Sequence, residues 1–271
     1  MEKAVENLNQ AVFSALESLG RGQDIRFESS CFGSAALNVK EDYEAYSKIV
    51  RNDRLIKYLN QEKVLIYNDT RIGLEAGSRA ENKIILIAGT GSNCLGINEK
   101  GEEAKCSGWD YILADEGSGF EVSIRALRAV IRAFDGRGSK TLLTGAVLKE
   151  VGLKDELGLV GWVYGKPFTK ERLGVFARTA CQCAARGDTV SREILKDEAR
   201  EAVLSVTTVA EKLKLEEKAF DLVFVGGLFR CEEHFKDIVT DSLKQRFEMI
   251  TFRPLVAKPV EGAVRLARDN L

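Results

Sequence analysis

Residues 84–102 read IILIAGTGSNCLGINEKGE, and Gly108-Trp109 and Asp115-Glu116-Gly117-Ser118 follow closely. The apolar run Ile84-Ile85-Leu86-Ile87-Ala88 has the composition of a buried strand. It stops at Gly89-Thr90-Gly91-Ser92-Asn93, where the backbone can turn tightly and present N–H groups. Leu95-Gly96-Ile97 resumes as a second strand before the turn Asn98-Glu99-Lys100-Gly101. Gly89 and Gly91 let an anion approach the main chain closely, and the Thr90 and Ser92 hydroxyls add donors at little steric cost. The four residues suit a nucleotide phosphate; they also fit an ordinary hairpin turn, since short Gly-x-Gly turns are common.

The residues downstream favour the phosphate reading. Ser118-Gly119-Phe120-Glu121 has the spacing of a capping box, and Ile124, Leu127, Ile131 and Phe134 recur at helical spacing, which predicts a helix from Gly117 to Phe134. Asp115 and Glu116 then sit just before a helix N-terminus, where the macrodipole favours carboxylates. An indole and acids beside a Gly-Thr-Gly turn also suit a sugar, which offers hydroxyls and an apolar ring face. Asn93, Gly108, Trp109, Asp110 and Asp115 are therefore sugar-side candidates, with simple packing the alternative for Trp109.

These residues resemble the N-acetylglucosamine kinase and benzoyl-CoA reductase activator-type ATPase family, a branch of the actin, hexokinase and heat-shock chaperone superfamily. The resemblance covers most of the chain. Ile66-Tyr67-Asn68-Asp69 resembles the strand end carrying the family's catalytic aspartate, so Asp69 is implied to orient the sugar hydroxyl and accept its proton. Gly33 and Ser34 fall where the family binds sugar, although Phe32 replaces a small residue of the family pattern. Gly187-Asp188 resembles the family's Gly-Asp after an alanine-rich helix. Val223-Phe224-Val225-Gly226-Gly227-Leu228-Phe229 resembles its adenosine loop, and Pro259-Val260-Glu261-Gly262-Ala263 its closing helix, which implies adenosine contacts from Gly226, Gly227, Gly262 and Ala263.

The implied fold is α/β, two-lobed, actin/hexokinase-like and ribonuclease H-like. The boundaries expected are a smaller N-terminal lobe over 1–81, joined by the C-terminal helix 259–271, and a larger lobe over 82–258 holding the hairpin, the adenosine loop and a helical insertion. The family's first phosphate loop, Asp-Gly-Gly-Gly-Thr-like, is not in this sequence. Instead Val5, Leu8, Val12, Phe13 and Leu16 open the chain at helical spacing. The N-terminal lobe is thus expected to be incomplete, through truncation or because the first loop is not needed. Its sheet edge would be exposed, and a homodimer is expected.

The implied activity is transfer of the ATP γ-phosphate to a hydroxyl of an amino sugar or hexose, with N-acetylglucosamine the family default. ATP and Mg2+ are the implied cofactors, the Mg2+ site being incomplete in this chain. Two alternatives stay open: a nucleotide- or sugar-binding protein without catalysis, and an ATPase activating a reductase or dehydratase.

Composition narrows the partners. Forty basic and 41 acidic residues among 271 leave a net charge of −1, so no electrostatic footprint for nucleic acid or a membrane surface exists. No apolar run approaches membrane-spanning length, and Met-Glu-Lys-Ala-Val-Glu is no secretory signal; a cytoplasmic protein is expected. The six cysteines, Cys31, Cys94, Cys106, Cys181, Cys183 and Cys231, form no Cys-x-x-Cys pair, which makes free thiols and no metal site the expectation. The single histidine, His234, falls among Glu232, Glu233 and Lys236 in what reads as a surface helix.

Overall fold

Apolar runs become strands and amphipathic runs become helices along the chain, which the computed structural model describes except at residues 1, 19, 21–24, 36, 166 and 168. The order begins α1 (Glu2–Ser18), β1 (Ser30–Ser34), α2 (Lys40–Val50), β2 (Val64–Asn68), α3 (Asp69–Gly77). Then come the strands β3 (Lys83–Ala88), β4 (Ser92–Ile97) and β5 (Glu103–Cys106). The helices α4 (Gly119–Phe134), α5 (Leu143–Val151), α6 (Gly158–Tyr164), α7 (Lys170–Gly174), α8 (Phe176–Ala185) and α9 (Thr189–Lys212) follow. The chain ends with β6 (Phe220–Val225), α10 (Asp237–Arg246), β7 (Ile250–Pro254) and α11 (Pro259–Asp269). Two compact units result: Met1–Arg79 with Leu255–Leu271, and Ala80–Pro254. No helix among the described residues is long and apolar enough to cross a membrane.

In the first unit β1 and β2 pair in parallel, with Gly33 opposite Tyr67 and Ser34 opposite Asn68. β1 begins at Ser30: upstream, Phe27 makes only an isolated bridge to Leu59, and Phe32, Gly33 and Ser34 pair with β2 ahead of the turn at Ala35. Ala36 lies outside the described residues. Helix α2 ends at Val50, although apolar residues continue to Leu59. Its helical spacing misleads because Asn52 rebuilds the backbone locally, its side-chain oxygen accepting from the Arg54 and Leu55 amides and its amide donating to the Ile49 carbonyl. Val50, Leu55 and Leu59 still bury together.

Helix α11 packs on α3 at one glycine. A Cβ at Gly262 would stand 2.1 Å from the Ile72 carbonyl oxygen and 2.8 Å from the Ala76 amide nitrogen, so only glycine allows this approach. Arg265 secures the contact by donating to the Glu75 and Ala76 carbonyls, two orphan acceptors at the end of α3.

The second unit is a five-stranded sheet in the order β5-β4-β3-β6-β7. β3, β4 and β5 form an antiparallel meander, and β6 and β7 add to β3 in parallel. Ile84, Leu86, Leu222 and Phe224 join Val206, Val209 and Ala210 of α9 in one core with α4, α5 and α8. The Gly187-Asp188 pair has a structural task here. Gly187 adopts φ +91° where α8 ends, and Asp188 caps α9 by accepting from the Ser191 amide and hydroxyl while also holding the Thr141 hydroxyl and Leu142 amide. Burial raises the Asp188 pKa, yet these donors outweigh burial and hold it below the usual carboxylate range. A depressed pKa gives stability that is complete above the unfolded value and disappears as pH falls through the folded one. Asp188→Ala is expected to lose about 2 kcal/mol at pH 7, measured by urea unfolding, with a smaller loss at pH 3.

Candidate functional site

The tip of the β3–β4 hairpin is held from three sides. Gly119 and Phe120, the first residues of α4, donate their amides to the Gly89 and Thr90 carbonyls at 2.7 and 3.0 Å. Ser118 caps the same helix, its hydroxyl accepting from the Glu121 amide. A trans peptide points its C=O and N–H in opposite directions. With the Gly89 and Thr90 carbonyls turned to α4, the Thr90 and Gly91 N–H groups point away from it. Among the described residues none accepts them. Two adjacent donors in a glycine turn are an anion site in miniature.

Asp115 forms the second support. It is buried, accepts the Ser92 amide at 2.7 Å, and pairs with the Lys170 ammonium at 2.7 Å. Lys170 also reaches Asp110 at 3.0 Å. Burial opposes the ammonium, but Asp115 and Asp110 outweigh it and raise the Lys170 pKa above its ordinary value. Asp115, expected at a sugar, is thus placed as a brace under the hairpin, bringing a cation beside Gly91. Lys170→Met is expected to weaken inorganic phosphate binding at the hairpin about ten-fold, the scale of one charge-assisted hydrogen bond, as read by calorimetric titration.

The third support is the turn after β6. Gly226 adopts φ +123°, and a Cβ there would stand 2.2 Å from the Ala88 oxygen and 2.5 Å from the Gly89 nitrogen. The two strand ends therefore touch through their backbones. Phe224 stacks on Phe229 and Phe252 behind the turn, and Leu228 is buried, so Gly226 and Gly227 rest on an aromatic base.

A cavity of about 580 Å³ runs from Gly89, Thr90 and Gly119 past Gly174 and the α8 residues Arg178 and Gln182 to Gly227, Leu228 and His234. Its size is that of small-molecule sites. It brings together Gly89 and Thr90 with Gly227; Gly91, Ser92 and Gly226 stand beside it in the hairpin and turn. His234 is a surprise here. The expected surface helix is a π-type turn over Glu232–Lys236, and the imidazole is largely buried at the cavity wall.

The loop leaving β5 carries the remaining sugar-side candidates of this unit. Ser107, Gly108 and Asp110 all have positive φ, at 63°, 71° and 72°. Two non-glycine residues in that region within four positions store strain of the kind found at binding sites. A Cβ at Gly108 would stand 2.7 Å from the Asn93 side chain, so the glycine keeps Asn93 in place. Trp109 is about half exposed, with the Lys105 ammonium 4.3 Å from its ring centre.

In the other unit, Gly33, Ser34 and Asp69 converge at the C-terminal end of the β1–β2 pair, the usual place for ligands in parallel sheets. Asp69 is the first residue of α3 and exposed; Asn68 caps the helix by accepting from the Thr70 amide and donates to the Leu37 carbonyl. Gly262 is accounted for by the packing of α11 on α3, and Ala263 is its neighbour in that helix.

Sequence reasoning missed Lys170 and Glu198, and read the largely buried His234 as a surface residue. Glu198 on α9 is buried, accepts the Gly117 amide at 2.7 Å and pairs with Arg125 at 2.8 Å, fixing the loop that leads into α4. It also missed a bond between Cys181 and Cys231, which corrects the expectation of free thiols; Cys31, Cys94, Cys106 and Cys183 are free. Among the described residues no three His, Cys, Asp or Glu side chains converge as a metal cluster.

A mixed sheet whose glycine turns meet beside a cavity defines an α/β protein with a candidate small-molecule site, and comparison with known proteins gives the family. The chain belongs to the BadF/BadG/BcrA/BcrD ATPase family, whose profile matches residues 1–267. It is 32% identical over 269 residues, 99% of this chain and 86% of the relative, to an N-acetylmuramic acid/N-acetylglucosamine kinase of Clostridium acetobutylicum. It is 27% identical over 252 residues, 92% of this chain and 77% of the relative, to an N-acetyl-D-glucosamine kinase of Dictyostelium discoideum. A crystal structure from Chromobacterium violaceum, named as a candidate N-acetylglucosamine kinase, superposes with a TM-score of 0.72 at 22% identity, covering 98% of this chain and 86% of that one. The fold is therefore the α/β fold of that structure.

Proposed function

We propose that this chain is an ATP-dependent amino-sugar kinase that phosphorylates a hydroxyl of N-acetylglucosamine or a close derivative such as N-acetylmuramic acid. The observation that carries the reading is the hairpin tip, whose Thr90 and Gly91 amides are turned outward by the α4 contacts. Family membership supports ATP, and the names of the two relatives support the sugar.

The cavity has the volume of a small-molecule site, and Gly89, Gly119 and Gly227 in its lining leave the backbone open to a nucleotide. ATP supplies the phosphoryl group when bound. The Thr90 and Gly91 amides donate to its phosphate oxygens, Ser92, whose hydroxyl engages Ser107 and Asp115, holds the turn with Lys170 beside it, and Gly226 and Gly227 admit the adenosine against the backbone. Asn93, Gly108 and Trp109 present an amide, a glycine surface and an aromatic face suited to a sugar; Gly33 and Ser34, in the first unit, are assigned to sugar by their place at the end of β1. Asp69 accepts the proton of the attacking hydroxyl. Mg2+ characteristically uses one or two carboxylates plus substrate phosphates, so it is assigned to the nucleotide and to no residue here. The proposal extends to a cytoplasmic homodimer, supported by the first unit's sheet, which has two strands among the described residues. Light scattering should give twice the chain mass.

A coupled ADP-release assay with MgATP and a panel of N-acetylglucosamine, N-acetylmuramic acid, glucosamine and glucose tests the activity. Turnover that requires an N-acetylated sugar is expected. Nucleotide-induced thermal stabilisation with no sugar-dependent turnover would replace the kinase with a binding protein.

A further inference from the structure

Cys181 and Cys231 are far apart in sequence, yet their Cα atoms lie 5.9 Å apart and their sulfurs are joined. That Cα separation is ordinary for a disulfide. Cys181 belongs to α8 and Cys231 ends the turn that follows Gly226, and both line the cavity described above. The bond therefore ties one wall of the cavity to the other. It is also selective, because Cys183, two residues from Cys181, stays free and buried.

The wall carrying Cys231 needs such a tie more than the other. Gly227–Arg230 forms a 3-10 turn that runs into the π-type turn Glu232–Lys236, and both geometries are weaker than the α-helix of Cys181. A cross-link there fixes the Gly227 and Leu228 backbone where it meets the ligand. Fixing a binding wall in its bound conformation raises affinity by reducing the ordering cost.

We infer that Cys181 and Cys231 form a reversible oxidation site that sets the nucleotide affinity of the cavity; the inference rests on the nucleotide reading of that cavity. Disulfides in reducing compartments are characteristically transient and redox-sensing. Cys181 is partly exposed and Cys231 is buried, so Cys181 meets the oxidant first. Its thiolate attacks one sulfur of a small-molecule disulfide such as oxidised glutathione, forming a mixed disulfide and releasing one small thiolate. The Cys231 thiolate then attacks the Cys181 sulfur and releases the second. The two protons lost by the cysteines go to the two small thiols, the protein pair is oxidised by two electrons and the small disulfide is reduced by two.

The test uses the full chain, oxidised with glutathione disulfide or reduced with dithiothreitol, with free thiols counted by alkylation and intact mass. Calorimetric titration with MgATP should show the oxidised form binding about three-fold or more tightly than the reduced form. Cys181→Ser and Cys231→Ala should abolish the difference, and Cys183→Ser should retain it. The wild-type comparison needs no substitution, so it decides the matter even where a variant fails to fold. Equal affinity in forms carrying four and six free thiols overturns the inference, as does a count of six in both. A flat titration in both forms while the thiol count changes overturns the nucleotide reading itself.

Discussion

Asp69→Asn lowers the rate of sugar phosphorylation by about 10²- to 10⁴-fold and leaves MgATP affinity within a factor of about two; this is the expected result of removing a proton acceptor without removing its shape. The substitution is isosteric and the position exposed, at the first residue of α3. The helix keeps its cap, because the Asn68 side chain and not Asp69 accepts from the Thr70 amide. The loss should therefore fall on kcat with little change in thermal unfolding. Unchanged kcat in the ADP-release assay removes Asp69 from the mechanism and returns it to the role of a helix-end carboxylate favoured by the dipole.

Gly226→Ala is expected to cost about 3 kcal/mol or more in urea unfolding, and to abolish nucleotide binding by whatever protein still folds. Two effects combine. A left-handed φ of 123° is costly for any residue with a Cβ, and that Cβ would overlap the Ala88 carbonyl and the Gly89 amide, which are backbone and cannot rotate aside. Relief would require separating the ends of β3 and β6, and that moves the hairpin tip. The adjacent Gly227→Ala separates stability from ligand contact: its Cβ meets nothing within 4 Å, so stability should hold while MgATP affinity falls. Equal stability of both variants would show that the close approach of the two strand ends is not needed.

The hairpin and its sequel were legible because their signals are local. Ile84–Ala88, Gly89–Ser92 and the cap at Ser118 each declare themselves within a few residues, and the structure forms β3, β4 and α4 there. Asn52 shows how local reading fails: one side chain redirects a helical pattern into turns. The longer-range parts of the site left no trace in the sequence. Lys170 meets Asp115 across 55 positions and reads only as a lysine after a threonine, and Cys181 meets Cys231 across 50. Glu198 reads as one more charge on a surface helix, since nothing in its neighbours announces that it turns inward to Arg125 and Gly117.

That last contact has a consequence for how the site breathes. The Gly117 amide proton is locked onto a buried carboxylate whose pKa burial raises despite the Arg125 pairing, and the loop holding it lies against the backbone of Ala202 on the 24-residue α9. Exchange of that proton with solvent deuterium requires α9 to lift from the sheet, so it should track global unfolding and not a local fluctuation. In the Ser107–Asp110 loop the Trp109 amide bonds the Ala114 carbonyl of the same loop, a local contact that a small fluctuation can open. The 117 side of this unit is therefore a fixed post, and its amide should be the slower of the two to exchange.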